Sequence, residues 1–166
     1  MTSPGGALGA IENSGLGQAM RQWLWLYPSV EIVHILGVAL LFGSIAVLDL
    51  RLLGFGRQIS VKSLARHVLP WTAGSFLLIV PSGVLMFVAH AGDMISSPIF
   101  VTKMLLLLAG GANAALFHAT VFRSVEVWDA QEMRELRTPP SVRAFAAVSL
   151  AIWIAVIACG RLLAYF

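Results

Sequence analysis

Four long apolar runs dominate the hydropathy pattern of the chain, at about residues 29–48, 68–90, 98–121 and 144–165. Each supplies the roughly 20 residues that a helix needs to cross a hydrocarbon core about 30 Å thick. Residues typical of helix starts precede three of the runs, namely Pro28, then Ser97 with Pro98, and then Pro139, Pro140 and Ser141. The pattern predicts an all-α fold, an integral membrane four-helix bundle over 23–166. Residues 1–22 are Gly-rich, lack the pattern of a cleaved signal peptide, and are expected to form a flexible or interfacial leader.

The charges of the connectors predict how the bundle is oriented. Residues 91–97 contain no Lys or Arg, whereas the other two connectors carry Arg51, Arg57, Lys62 and Arg66, and Arg123, Arg134, Arg137 and Arg143. Because Lys and Arg accumulate on the cytoplasmic side, both termini are expected outside (N-out/C-out) in a bacterial cytoplasmic (inner) membrane that the chain crosses several times. A mixed-charge stretch is expected to be a solvated helix, with Glu126, Asp129, Glu132, Arg134, Glu135 and Arg137.

Composition excludes several classes of protein. With 58% apolar and 11% charged residues and a mean hydropathy of +0.86, the chain lies far from a soluble mixture. The net charge is +3, but the basic residues sit in short connectors, so no nucleic-acid partner is expected. The single cysteine, Cys159, excludes an internal disulfide. The expected partner is the lipid bilayer, with a homo-oligomer or a redox protein as a further partner.

Ionisable residues in the apolar runs fall at two depths. The outer set is Glu31, His34, His90, Lys103 and Arg161, and the inner set, near the basic connectors, is Asp49, His67, His118 and Arg123. Such groups are costly in hydrocarbon, so they are expected to face the bundle interior. Helical spacing agrees, because two polar stripes result, Glu31 with His34 and Asp49, and Lys103 with Gly110, Ala114 and His118.

The histidines predict a haem site. Neutral imidazole is a natural axial ligand of haem iron, and haem also needs an apolar slot and cations for its propionates. The candidate iron ligands, in order, are His34, His118, His90 and His67, and the candidate propionate partners are Lys103 and Arg161. Glycines in the runs would either let helices pack closely or make room for the macrocycle. One or two haem b groups are expected; depth pairs His34 with His90 and His67 with His118.

Soft ligands at the outer end of the second run favour copper as an alternative cofactor. Met86, His90 and Met94 recur every four residues, and thioether with imidazole suits Cu(I), although Met is also a common filler of apolar gaps. Two hypotheses without a bound metal stay open as well. A proton or solute pathway could be lined by Glu31, His34, Asp49 and His118, and the chain could be a structural subunit without a cofactor.

Two stretches carry a resemblance to a known family. The first-span run EIVHILGVALLFGSIAVLDLRLLG and the third-span run FVTKMLLLLAGGANAALFH resemble the bacterial membrane family of the HemJ-type protoporphyrinogen oxidases and the copper-resistance D (CopD) proteins. The resemblance implies a haem role for His34, with Lys103 and His118 as the Lys and His of the third helix. The fourth span lacks the Asn-Glu-Val-Pro signature of the oxidases, so what the resemblance implies is a haem- or metal-binding bundle.

Together these features predict a b-type haem-binding membrane protein that transfers electrons across the membrane, an oxidoreductase or an electron-transfer component. The second hypothesis is a copper-binding or copper-transport protein of the copper-resistance D type. The third is a structural membrane subunit.

Overall fold

The computed structural model of the protein describes residues 6–135, 138–163 and Tyr165, and for 131–135 the backbone alone. The predicted charges of Glu132, Arg134, Glu135 and Arg137 lie outside the described side chains. All regular elements of the described part are helical, which confirms the all-α prediction. The helices are α1 Ala7–Glu12, α2 Gly15–Gln22, α3 Leu26–Leu53, α4 Val61–Ala89, α5 Ala91–Ser96, α6 Pro98–Ala119, α7 Val125–Glu135 and α8 Pro140–Leu162.

The prediction of four spans is confirmed in the described residues by four helices long and apolar enough to cross a membrane. They are α3, α4, α8 and α6, the last continuing through a short 3₁₀ turn into α7. The chain is thus a membrane protein with four transmembrane-capable helices. The helices are longer than the apolar runs. Helix α4 begins at Val61, seven residues before the predicted run, because Ser60 caps its start. The polar residues of its first turns are therefore helical as well.

The four spans lie in the order α4, α3, α8, α6. Helix α3 packs against α4 and α8, and α6 packs against α8, whereas no Cα atoms of α4 and α6 come within 8 Å of each other. The rings of Phe87 and Phe100 stack across that gap, with centroids 5.9 Å apart. The bundle is therefore tightly closed on one side and spaced apart between α4 and α6.

One end of the bundle, here the basic end, holds the turn at 54–60 and the connector from α6 to α8. Gly54 ends α3 in the left-handed region at φ 109°, which L side chains rarely adopt. Arg51 donates to the Ile59 carbonyl at 2.6 Å and lies 3.6 Å from the Asp129 carboxylate. A cluster of buried apolar residues lies at this end and includes Leu52, Val61, Phe117, Trp128 and Val142.

Asp129 corrects the expectation of a fully solvated charged helix, which is wrong at this residue. Its side chain on α7 is buried and accepts hydrogen bonds from Ser60 Oγ at 2.7 Å and from the Val61 N–H at 3.2 Å. The first N–H groups of a helix lack partners within it, and this carboxylate supplies one. Glu126, one turn earlier, does remain exposed, and it pairs with Lys62.

At the opposite end, here the terminal end, residues of the predicted leader form α1 and α2, which contact α4 and α5. Arg21 donates to the Ala89 carbonyl at 2.8 Å and to the Glu12 carbonyl at 2.6 Å. The Glu12 side chain in turn accepts from the Gly92 N–H at 2.7 Å. The two short helices thus cover the break between α4 and α5.

Candidate functional site

Polar side chains from all four spans meet in the terminal half of the bundle, in a group called here the histidine–lysine cluster: His34, Ser82, Lys103 and Cys159. His34 on α3 shares a hydrogen bond of 2.9 Å between Nδ1 and Ser82 Oγ on α4. Lys103 on α6 acts electrostatically on His34 and on Cys159 of α8. The structure therefore brings together two residues predicted to serve one cofactor, His34 and Lys103.

The other residues of the predicted outer set lie apart from this cluster. His90 caps the junction of α4 and α5, and its ring meets Tyr27 edge-on, with centroids 5.6 Å apart. Arg161, at the exposed end of α8, donates to the Tyr165 hydroxyl at 2.5 Å. Met86 is half-buried in α4. No group of three or more His, Cys, Asp or Glu side chains in the described part is placed to hold a metal ion.

The histidines are separated along the bundle. His34 lies level with Ser82, eight residues before His90 on α4, which is about 12 Å of helix. His118 lies fifteen residues beyond Lys103 on α6, about 22 Å further toward the basic end. Two axial ligands of one iron must nearly face each other, so the structure brings neither His90 nor His118 to His34. His67 is exposed in the second turn of α4.

A cavity of about 420 Å³, called here the intramembrane cavity, lies between the spans from mid-bundle toward the basic end. All four spans line it, mostly with apolar side chains. Gly111 of α6 leaves space here, since an added Cβ would meet nothing within 4 Å, whereas its neighbour Gly110 packs against Ile152 and Trp153 of α8. The predicted stripe on α6 does line the cavity at Gly110, Ala114 and His118.

Asp49 of α3 is the main polar group of the cavity. Its side chain is 6% exposed, and its Oδ2 atom is buried with no hydrogen-bond partner among the described residues. Ser149 of α8 lies beside the same carboxylate and also lines the cavity. Arg51, two residues later, bonds to Ile59 and lies beside Asp129 instead. Asp49 therefore lines the cavity with a carboxylate of which one oxygen is buried and bonded to no described residue of this chain.

The remaining polar atoms of the cavity are mostly acceptors. Thr72 donates its hydroxyl hydrogen to the Val68 carbonyl at 3.2 Å, and Asn113 donates an amide hydrogen to the Phe145 carbonyl at 3.2 Å. His118 Nδ1 lies 2.9 Å from the Ala114 carbonyl, which can only accept, so the neutral ring keeps Nε2 as an acceptor. The other donor groups of the lining side chains are the second amide hydrogen of Asn113, the Ser149 hydroxyl and the indole N–H of Trp153.

The cavity opens between α4 and α6. Its lining residues on α3 and α8 include buried ones such as Leu41, Leu48 and Ala146, whereas those on α4 and α6 include exposed ones such as Phe76 and His118. This is the side on which the two helices stand apart. A molecule dissolved in the acyl-chain region would meet this opening directly.

Sequence reasoning finds part of this site. Asp49 and His118 stand out as intramembrane ionisable residues, whereas Thr72, Asn113 and Ser149 were missed. The available signal was a neutral polar side chain within an apolar run, a weak one, because such residues also bond their own helix backbone.

Comparison with known proteins places the chain in a family without assigning a chemistry. No curated protein and no solved structure matches it. The resemblance to the HemJ and CopD proteins therefore stays a prediction. A family model covers residues 10–166, and the chain belongs to that family, described as a family of unknown function (DUF6644).

Proposed function

We propose that the protein binds a small molecule with a mainly apolar body inside the membrane, in the intramembrane cavity. The observation that carries this proposal is that Asp49, one of the residues lining a cavity between all four spans, has a buried carboxylate oxygen without a described partner. An unpaired buried polar atom costs free energy, and ionisable groups within spans commonly mark ligand pathways. A ligand that completes the hydrogen bonding of Asp49 gives a reason for the carboxylate to be there.

The dimensions of the cavity support a small ligand. Its volume of about 420 Å³ lies within the usual range of roughly 300–1,000 Å³ for ligand pockets, which are likewise mostly apolar with a few placed polar groups. The opening between α4 and α6 provides a route from the bilayer. The proposal thus concerns a membrane-dissolved ligand.

A brominated alcohol tests this proposal, because bromine quenches tryptophan fluorescence on contact and Trp153 lines the cavity. The protein in phosphatidylcholine nanodiscs is titrated with 4-(4-bromophenyl)butan-1-ol. We expect saturable quenching that Trp153→Phe removes and that Gly111→Leu weakens at least tenfold, since the new side chain occupies the cavity.

Gly43→Leu is the matched control. An added Cβ at Gly43 also meets nothing within 4 Å, but Gly43 does not line the cavity, so binding should be retained. Quenching that never saturates, or that both leucine variants change equally, would contradict the proposal.

Haem b is a second candidate occupant, favoured by one observation: His118 lines the cavity with Nε2 free for an axial bond. Gly111, two turns before His118 on α6, leaves space in which part of a macrocycle would fit. When bound, haem would supply one-electron redox chemistry, and the protein would serve electron transfer. Copper and the N-out/C-out orientation stay sequence-based predictions, because no geometry of the described residues adds to them.

The haem candidate is tested by the oxidised and dithionite-reduced spectra of the purified protein, with a pyridine haemochrome assay. We expect His118→Ala to remove haem absorbance and His67→Ala to retain it. His67 is a matched control, because its Nδ1 also bonds the carbonyl four residues earlier, 2.9 Å away, but it does not line the cavity. Loss of haem absorbance in His34→Ala alone would place the haem in the histidine–lysine cluster instead. A colourless protein purified from haem-supplied cells would exclude haem as the occupant.

A further inference from the structure

We infer that the ligand of the intramembrane cavity is a lipophilic organic cation, a protonated amine on an aromatic or alkyl body. The inference rests on the proposed function and narrows it to one class of ligand. Three properties of the cavity support it: its acidic residue, its hydrogen-bonding groups and its aromatic walls.

Asp49 is the acidic residue of the cavity lining, and an ammonium group beside it would favour its ionised form. No described Lys, Arg or His forms an ion pair with this carboxylate, and the nearest cation along the chain, Arg51, lies beside Asp129. A carboxylate in a low-dielectric site attracts a cation far more strongly than one in water. An anionic ligand would find no described Lys or Arg among the lining residues.

The hydrogen-bonding groups that line the cavity favour a ligand that donates hydrogen bonds. Among the lining residues, Asp49 has an oxygen with no described partner, and Thr72, Asn113 and His118 each donate a hydrogen to a backbone carbonyl and retain an acceptor. A primary ammonium group has three donors and no acceptor. It therefore matches the cavity better than a ketone, an ether or a carboxylate, each of which would add acceptors.

Aromatic rings form much of the cavity wall. Phe76, Phe117, Phe145 and Trp153 all line it, and the rings of Phe117 and Phe145 are 5.8 Å apart at their centroids. Aromatic faces attract cations, and more strongly when water is excluded. The same rings provide apolar contact for the body of an amphiphilic amine, so head and body are both accommodated.

The test compares two probes of nearly equal shape and different charge. These are 4-(4-bromophenyl)butan-1-amine, which is protonated at pH 7 as lysine is, and the alcohol 4-(4-bromophenyl)butan-1-ol. Saturable quenching of Trp153 is measured in phosphatidylcholine nanodiscs. The dissociation constant of each probe is then expressed as a concentration of that probe within the membrane. We expect the wild-type protein to bind the amine at least tenfold more tightly than the alcohol.

Substitution of Asp49 identifies the origin of that preference. Asp49→Asn keeps the size of the side chain and removes its charge, so it should abolish the preference for the amine while retaining alcohol binding. Asp93→Asn is the control, because Asp93 is an exposed acidic residue on α5 outside the cavity, and it should keep the preference. A preference that survives Asp49→Asn would overturn the inference.

The remaining outcomes are also decisive. If Asp49→Asn does not fold, the wild-type protein is titrated with 4-(4-bromophenyl)butanoate as well, and binding in the order amine, alcohol, carboxylate supports the inference. If the amine and the alcohol bound equally and Gly111→Leu blocked both, the inference of a cationic ligand would be overturned and the proposed function would stand. If none of the three probes bound saturably, both the inference and the proposed function would be overturned.

Discussion

Two buried aspartates illustrate how differently one residue type is used in this protein. Asp129 is surrounded by partners, among them Ser60, the Val61 N–H and Arg51. Asp49 is equally buried and has an oxygen without a described partner. A carboxylate that is fully bonded within the chain stabilises the fold, whereas one left unbonded in a cavity is available to a ligand.

Asp129→Ala is expected to destabilise the protein by about 3 kcal/mol, because it removes the carboxylate that accepts from the Val61 N–H at the start of α4 and lies beside the buried Arg51. Unfolding in detergent micelles measures the change. Glu126→Ala is the matched control: Glu126 lies one turn away and forms only an exposed pair with Lys62, so no measurable shift is expected. Equal shifts in the two variants would contradict the role given to Asp129.

For single residues, the sequence indicated which side chains are candidates for the site, but it indicated much less about which residues those side chains contact. Asp49, His34 and His118 stood out because ionisable groups in apolar runs are rare. That Asp129 would reach Ser60, far away along the chain, could not be predicted, because the contact depends on how α7 returns to the start of α4.

Among the elements, α3 and α4 form the closest pair of spans, and Gly37 is where they approach. A Cβ at Gly37 would lie 2.8 Å from Ile79 Cγ1 and 3.0 Å from Leu78 Cβ. Small residues at such crossings allow helices to pack closely in membranes. Here the packing role expected of glycines is seen, whereas Gly111 leaves space instead.

Gly37→Ala is therefore expected to destabilise the protein by about 1–3 kcal/mol through overpacking. Gly43→Ala, on the same helix, adds a methyl group that meets nothing within 4 Å and should leave stability unchanged or slightly higher. The measurement is again unfolding in detergent micelles. A tolerated Gly37→Ala would show that α3 and α4 can separate at little cost.

The spans themselves were predictable because hydrophobic length is a strong signal. The ends of the spans were less predictable. Helix α3 runs to Leu53 and α4 starts at Val61, because polar residues of the first and last turns remain helical beyond the apolar run. The histidine His67 thus lies inside α4 rather than at its boundary.

At the scale of the whole molecule, the lateral order of the helices decides where the site is. Hydropathy gives the number of spans but not which pairs touch, because every lipid-facing and interior position is similarly apolar. The separation of α4 from α6, and with it the cavity, therefore could not be predicted. The closure of the terminal end by α1 and α2 through Arg21 and Glu12 is likewise a long-range contact.

The gap between α4 and α6 also makes the bilayer the solvent from which any occupant of the cavity is drawn. Each methylene transferred from water to lipid contributes about 0.8 kcal/mol, so a body of four methylenes alone is enriched roughly two-hundredfold in the membrane by partition. Occupancy then follows the mole fraction of the ligand among lipids rather than its aqueous concentration. A modest affinity at the cavity itself would be sufficient to capture a scarce amphiphile, and the apparent affinity would fall as more lipid is supplied to dilute it.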